Sequence, residues 1–160
     1  KDLRGNINTR IDKLRDKQYD AIVLASAGLN RLGVEVHSKL YLPVEECIPA
    51  VGQAVLALEC RKDDDEVFTL LRSINDFETE TAVTAERSFM KRVGGGCKFP
   101  LAAYAFIQGN TITLETLLGN HNTYQIIKYK ESDNLKNANE LGKKLAERTI
   151  IKAKKIDLEY

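Results

Sequence analysis

Val93-Gly94-Gly95-Gly96-Cys97-Lys98-Phe99-Pro100-Leu101 separates two kinds of pattern in this chain. Before it, apolar residues at Val83, Phe89, Met90 and Val93 keep a helical spacing that starts from a cap at Asn75 or Asp76. After it, the period changes to that of strands. Residues 101–107, 111–118 and 124–129 are expected as three antiparallel strands, joined by Gln108-Gly109-Asn110 and Gly119-Asn120 turns. Thr111-Ile112-Thr113-Leu114-Glu115 alternates as a half-exposed strand should. A last helix over 135–153 has a narrow apolar stripe at Leu141 and Leu145, with lysines on its other face. Helix, three strands and helix make a compact α+β unit.

The boundary stretch has two readings. Its glycines let the backbone take φ > 0, and Pro100 disfavours helix at Phe99. That pattern suits a helix C-cap with an incidental cysteine. It equally suits a thiol presented on a loop.

On the N-terminal side the pattern is α/β. Ile7, Ile11 and Leu14 predict a helix capped by Asn6. Arg4 and Arg10 near its start make either a carboxylate or phosphate site or a solvated basic face. The apolar run 21–25 predicts a strand buried on both faces. A turn and short helix follow at 27–33, carrying Arg31 near the carboxyl end of that strand or simply on the surface. Residues 55–60 predict a second buried strand, ending in Cys60 as a small core residue. Asp63-Asp64-Asp65-Glu66 opens a helix to about Ile74, matching its dipole rather than a metal. His37 and His121 read as surface residues.

Composition sets the outer bounds. The 160 residues are 43% hydrophobic and 29% charged, as in ordinary globular proteins. A net charge of +1 makes no case for nucleic acid or a membrane surface. No run approaches the ~18 apolar residues of a spanning helix. Cys47, Cys60 and Cys97 are odd in number and widely spaced, which fits a reducing compartment better than disulfides or a metal site. The start at Lys1, without Met, reads as a trimmed chain or a piece of a longer protein.

Seven short stretches, taken in order, resemble the porphobilinogen deaminase (hydroxymethylbilane synthase) family. They are Leu3-Arg4-Gly5-Asn6-Ile7-Asn8-Thr9-Arg10, Tyr19-Asp20-Ala21-Ile22-Val23-Leu24-Ala25, Ala27-Gly28-Leu29-Asn30-Arg31-Leu32-Gly33, Pro49-Ala50-Val51-Gly52-Gln53, Leu58-Glu59-Cys60-Arg61, Thr84-Ala85-Glu86-Arg87 and Gly95-Gly96-Cys97. The last fifty residues are similar to the family in pattern only.

The resemblance implies an enzyme that joins four porphobilinogen molecules head to tail, releasing ammonia and giving hydroxymethylbilane for tetrapyrrole (haem) biosynthesis. It implies a dipyrromethane cofactor held covalently through Cys97, in a thioether. Arg4, Arg10 and Arg31 match arginines that face the pyrrole carboxylates, and Gln53 and Ala54 match a cofactor-contacting loop. The family aspartate that moves protons has no counterpart here; it belongs to the N-terminal half, so no catalytic residue is assigned in this chain.

The implied fold is α/β plus α+β, part of a three-domain enzyme with two periplasmic-binding-protein-like α/β domains. Residues 1–48 would be the later half of domain 2, residues 49–75 a strand–helix return to domain 1, and residues 76–160 a C-terminal domain carrying the cofactor cysteine. The implied setting is a cytoplasmic monomer, or the plastid stroma in a plant or alga, with the N-terminal half as partner. The chain alone is expected to be inactive.

Three departures stand out. Ala54 and Asn8 replace usual glycines, and Lys98 replaces a usual glutamine. Two other readings compete with the enzyme: a non-catalytic anion-binding fragment or pseudo-enzyme of the same fold, and a redox-sensing thiol domain built on Cys97.

Overall fold

The computed structural model describes residues 2–36, 38–94 and 99–158. Cys97 and His37, both singled out in the sequence, lie outside the described residues. The chain divides into two units, Lys1–Pro43 and Val44–Tyr160.

In the first unit, helix α1 (Ile7–Arg15) starts where the sequence predicts. The Asn6 side chain accepts the Thr9 amide at 2.8 Å, satisfying an N–H that the first turn cannot pair internally. Ile11, in mid-helix, is buried. Helix α2 (Ser26–Leu32) ends on Gly33, which takes the left-handed conformation at φ 59°. The tyrosine ring at 19 anchors the chain entry, its hydroxyl donating to the Asp2 carbonyl at 2.8 Å.

The strand expected at 21–25 does not form; the segment is irregular and Val23 is 75% exposed. A strand of that kind exists through ladder partners on its edges and cover on both faces. No strand among the described residues pairs with it. The second expected strand, 55–60, fails for the same reason. It is irregular, Leu56 and Leu58 are exposed, and Cys60 is half-buried rather than core.

The second unit holds the main core. Helix α3 (Asp65–Ser73) is capped by Asp64, whose carboxylate accepts the Val67 amide at 3.1 Å. Helix α4 (Phe77–Val93) is capped by Asp76, which accepts the Thr79 amide at 2.7 Å, and it ends on Gly94 at φ 82°. Strands β1 (Leu101–Gln108), β2 (Thr111–Gly119) and β3 (Ile126–Asn134) form an antiparallel sheet in the order β1-β2-β3. Gly109, at φ 59°, is the first central residue of the two-residue β1–β2 hairpin, the position where a type II′ turn wants glycine. After a short 3-10 turn (Leu135–Asn137), helix α5 (Ala138–Lys155) closes the unit.

The two long helices cover one face of this sheet. Phe89 and Val93 of α4 and Leu141 and Leu145 of α5 pack on Ile112, Leu114 and Leu118 of β2. The α+β unit is thus as the sequence pattern predicts, with two corrections. The third strand runs over Ile126–Asn134 rather than 124–129: Tyr124 turns the chain at φ 55° and is exposed, and pairing with β2 continues to Thr111 opposite Asn134. Strand β2 is not half-exposed: Thr113 and Glu115 are buried as well. It is the central strand, and Glu115 stands between Tyr104 of β1 and Lys130 of β3, ion-paired to the latter. His121, in the β2–β3 loop, is exposed as expected. No helix among the described residues is long and apolar enough to cross a membrane.

Candidate functional site

The predicted site residues fall in three places. Arg4, Arg10 and Arg31 belong to the first unit. Arg4 and Arg31 are exposed and make no ion pair among the described residues. Arg10 is half-buried, and its Nε donates to the Gly5 carbonyl at 2.6 Å, which fixes the plane of the guanidinium fork. Helices α1 and α2 touch where Ile7 meets Gly28; a Cβ at 28 would stand 2.6 Å from Ile7 Cδ1. That glycine allows the first turn of α1 to lie on the middle of α2. The helices bearing Arg10 and Arg31 are therefore in contact in one unit, with Arg4 in the segment just before the first of them.

Gln53 and Ala54 belong to the second unit, in two overlapping turns. The Gln53 amide donates to the Ala50 carbonyl at 3.0 Å, and the Val55 amide to the Gly52 carbonyl at 3.2 Å. Gly52 and Ala54 are the third residues of these turns, with φ of 70° and 68°. A positive φ there is the mark of a type II turn, which wants glycine. Ala54 thus carries a strained backbone where the resemblance expects glycine.

The turn is tied to the core by a residue to which the sequence reading gave no role. Glu86 of α4 is only 6% exposed. Its Oε2 accepts the Gly52 amide at 2.8 Å and its Oε1 accepts the Ala105 amide of β1 at 2.9 Å. Burial pushes its carboxyl above the ordinary value, opposed by the two amides and by the nearby Arg87 charge. A signal was present: Glu86 continues the buried spacing of Val83, Phe89 and Val93 with a charged residue. A carboxylate at a core position needs donors.

Cys97 follows the Gly94 cap of α4 by three residues and lies outside the described residues.

Comparison with known proteins decides the family. A family model described as "Porphobilinogen deaminase, dipyromethane cofactor binding domain" matches residues 1–69. A second, "Porphobilinogen deaminase, C-terminal domain", matches residues 80–150. The chain belongs to the porphobilinogen deaminase family. The porphobilinogen deaminase of Geobacillus kaustophilus is 49% identical over 131 residues, 81% of this chain and 41% of that protein. That of Brevibacillus brevis is 48% identical over 127 residues, 79% and 41% of the two chains. That of Coxiella burnetii is 43% identical over 150 residues, 94% and 49%. The chain therefore spans about half the length of the curated relatives it matches. The cofactor-domain match takes in Arg4, Arg10, Arg31, Gln53 and Ala54, and the C-terminal match takes in Glu86 and Cys97.

Proposed function

We propose that this chain is the C-terminal, cofactor-holding portion of a hydroxymethylbilane synthase. The enzyme condenses four porphobilinogen molecules head to tail, releasing ammonia, in tetrapyrrole biosynthesis. The observation that carries this reading is the pair of porphobilinogen deaminase matches, in order, over residues 1–69 and 80–150.

The residues present suit a dipyrromethane. Each pyrrole ring carries two carboxylates, and guanidinium forks are the side chains that neutralise them best. Arg4 and Arg31 are exposed with no ion pair among the described residues, and Arg10 has its fork held by Gly5. In this reading Cys97 holds the cofactor through a thioether, as a thiolate nucleophile can. Gln53 and Ala54 support it from the 50–54 turn. When bound, the group supplies the pyrrole carbon on which the chain of rings is extended. The arginines bind and orient the carboxylates of the incoming ring. No residue of this chain is given the acid–base role.

The domain reading belongs to the same proposal: 1–48 as part of domain 2, 49–75 as a return to domain 1, 76–160 as domain 3, the first two periplasmic-binding-protein-like. The N-terminal half of the enzyme is then the partner. The exposed apolar residues Leu56, Leu58, Phe68 and Leu70 support a missing cover of that kind. The setting is the cytoplasm, or the plastid stroma.

The test is the intact mass of the chain assembled with the N-terminal half of a relative and supplied with porphobilinogen. An added mass of two linked pyrroles, lost on Cys97→Ser, is expected. A folded complex with no added mass overturns the reading and favours a non-catalytic anion-binding module.

A further inference from the structure

Glu86 joins two backbone segments that lie 34 and 19 residues away from it in sequence. One is the turn that holds Gln53 and Ala54. The other is β1, an edge strand of the sheet. The helix that carries Glu86 runs on to its cap at Gly94, about 12 Å further at the α-helical rise. One helix therefore fastens the 50–54 turn and ends, at its Gly94 cap, three residues before Cys97 in the sequence. We propose that Glu86 is a positioning residue for the cofactor: its carboxylate sets Gln53 and Ala54 at a fixed place on the helix that leads to Cys97. This rests on the reading that Cys97 and the turn hold the dipyrromethane.

Core packing alone does not call for a carboxylate at this point. An apolar side chain would fill the space, whereas the amides of Gly52 and Ala105 need an acceptor once removed from water. Besides this tie, the turn is held by Val51, which packs against the core from a half-buried position. Loss of the carboxylate should therefore loosen the turn and leave the sheet intact.

Hydrogen exchange on the 160-residue chain tests the tie. In Glu86→Gln, one oxygen is replaced by an NH2 that cannot accept an amide. The amides of residues 50–55 are expected to exchange at least about tenfold faster, with those of 112–118 unchanged. Unchanged exchange at 50–55 overturns the proposal. If protection is lost in β2 as well, the variant has not folded, and the wild-type chain decides. Its Gly52 and Ala105 amide resonances should then move together in one acidic titration; independent behaviour overturns the tie. The groups around Glu86 leave that titration readable: the 50–54 turn has no ionisable side chain, β1 has only Tyr104, and on α4 Arg87 adjoins Glu86 while the other carboxylates, Glu78 and Glu80, sit in the first turn.

The cofactor arm is read separately, in the complex with the N-terminal half. The fraction of chains bearing the two-pyrrole adduct should fall severalfold in Glu86→Gln, and further in Glu86→Ala. Undiminished loading in both variants overturns the positioning role. No adduct even on the wild type, with faster exchange at 50–55 in the variant, overturns the cofactor reading but leaves the tie.

Discussion

Gly142 of α5 meets the Ala85 carbonyl of α4 so closely that a Cβ at 142 would stand 2.3 Å from that oxygen. Ser88 Cβ and the Phe89 nitrogen would be 2.8 and 2.9 Å away. The two longest helices thus touch backbone to backbone at this glycine. Helix propensity alone predicts that Gly142→Ala stabilises by about 1 kcal/mol. The clash is with backbone, which cannot swing aside, and should win by about 3 kcal/mol in the opposite sense. Urea unfolding checks the sign; a stabilised variant would show that the helices separate without cost.

Ala54 calls for the reverse substitution. Its φ of 68° costs an L-residue about 1–2 kcal/mol, against about 0.5–1 kcal/mol of extra chain entropy for glycine. Ala54→Gly should stabilise the chain by up to about 1 kcal/mol. A denaturant midpoint that falls would mean that the turn relaxes in solution to negative φ at 54.

The pH dependence of Glu86 follows from burial outweighing its two amide donors. Its folded-state carboxyl titrates above the ordinary 4.5, so the folded chain binds the proton more tightly than the unfolded chain. The stabilising contribution of this group is full below 4.5 and is lost as pH rises through the folded value. Asp76 and Asp133 act oppositely. The first is held below the ordinary 3.8 by Thr79, the second by Asn137 and the Asn134 amide, so their contribution is lost only as pH falls below 3.8. The stability of wild type relative to Glu86→Gln isolates the first effect. It should decline as pH rises from 4 and then level off. A rise over that range would show the amide bonds to outweigh burial.

What was legible in the sequence was local. Asn6, Asp76 and Gly94 announce helix ends because the cap lies within four residues of the groups it satisfies. Gly109 announces its hairpin in the same way. The apolar runs at 21–25 and 55–60 state a need for burial but not its source, and without ladder partners they remain irregular. Glu115 looked half-exposed because alternation says nothing about the flanking Tyr104 and Lys130, which come from other strands. Only the family's order of motifs led to grouping the arginines with the 50–54 turn. The donors to Glu86 were not readable, since both are distant from it in sequence.

Helix α3 is amphipathic yet buries no residue, and Phe68 and Leu70 are 55% and 66% exposed. An apolar helix face left in water either is tolerated or is covered when a partner arrives. The two cases separate at Leu70. Leu70→Asp removes no internal packing, so the unfolding free energy of the isolated chain should change by no more than about 0.5 kcal/mol. If the N-terminal half of a relative covers this face, the same substitution buries an unpaired carboxylate in the contact. Affinity for that half, measured by titration calorimetry, should then fall at least about tenfold, the equivalent of about 1.4 kcal/mol. Unchanged affinity, with unchanged stability, would place the contact elsewhere and leave α3 a solvent-facing helix in the assembled enzyme.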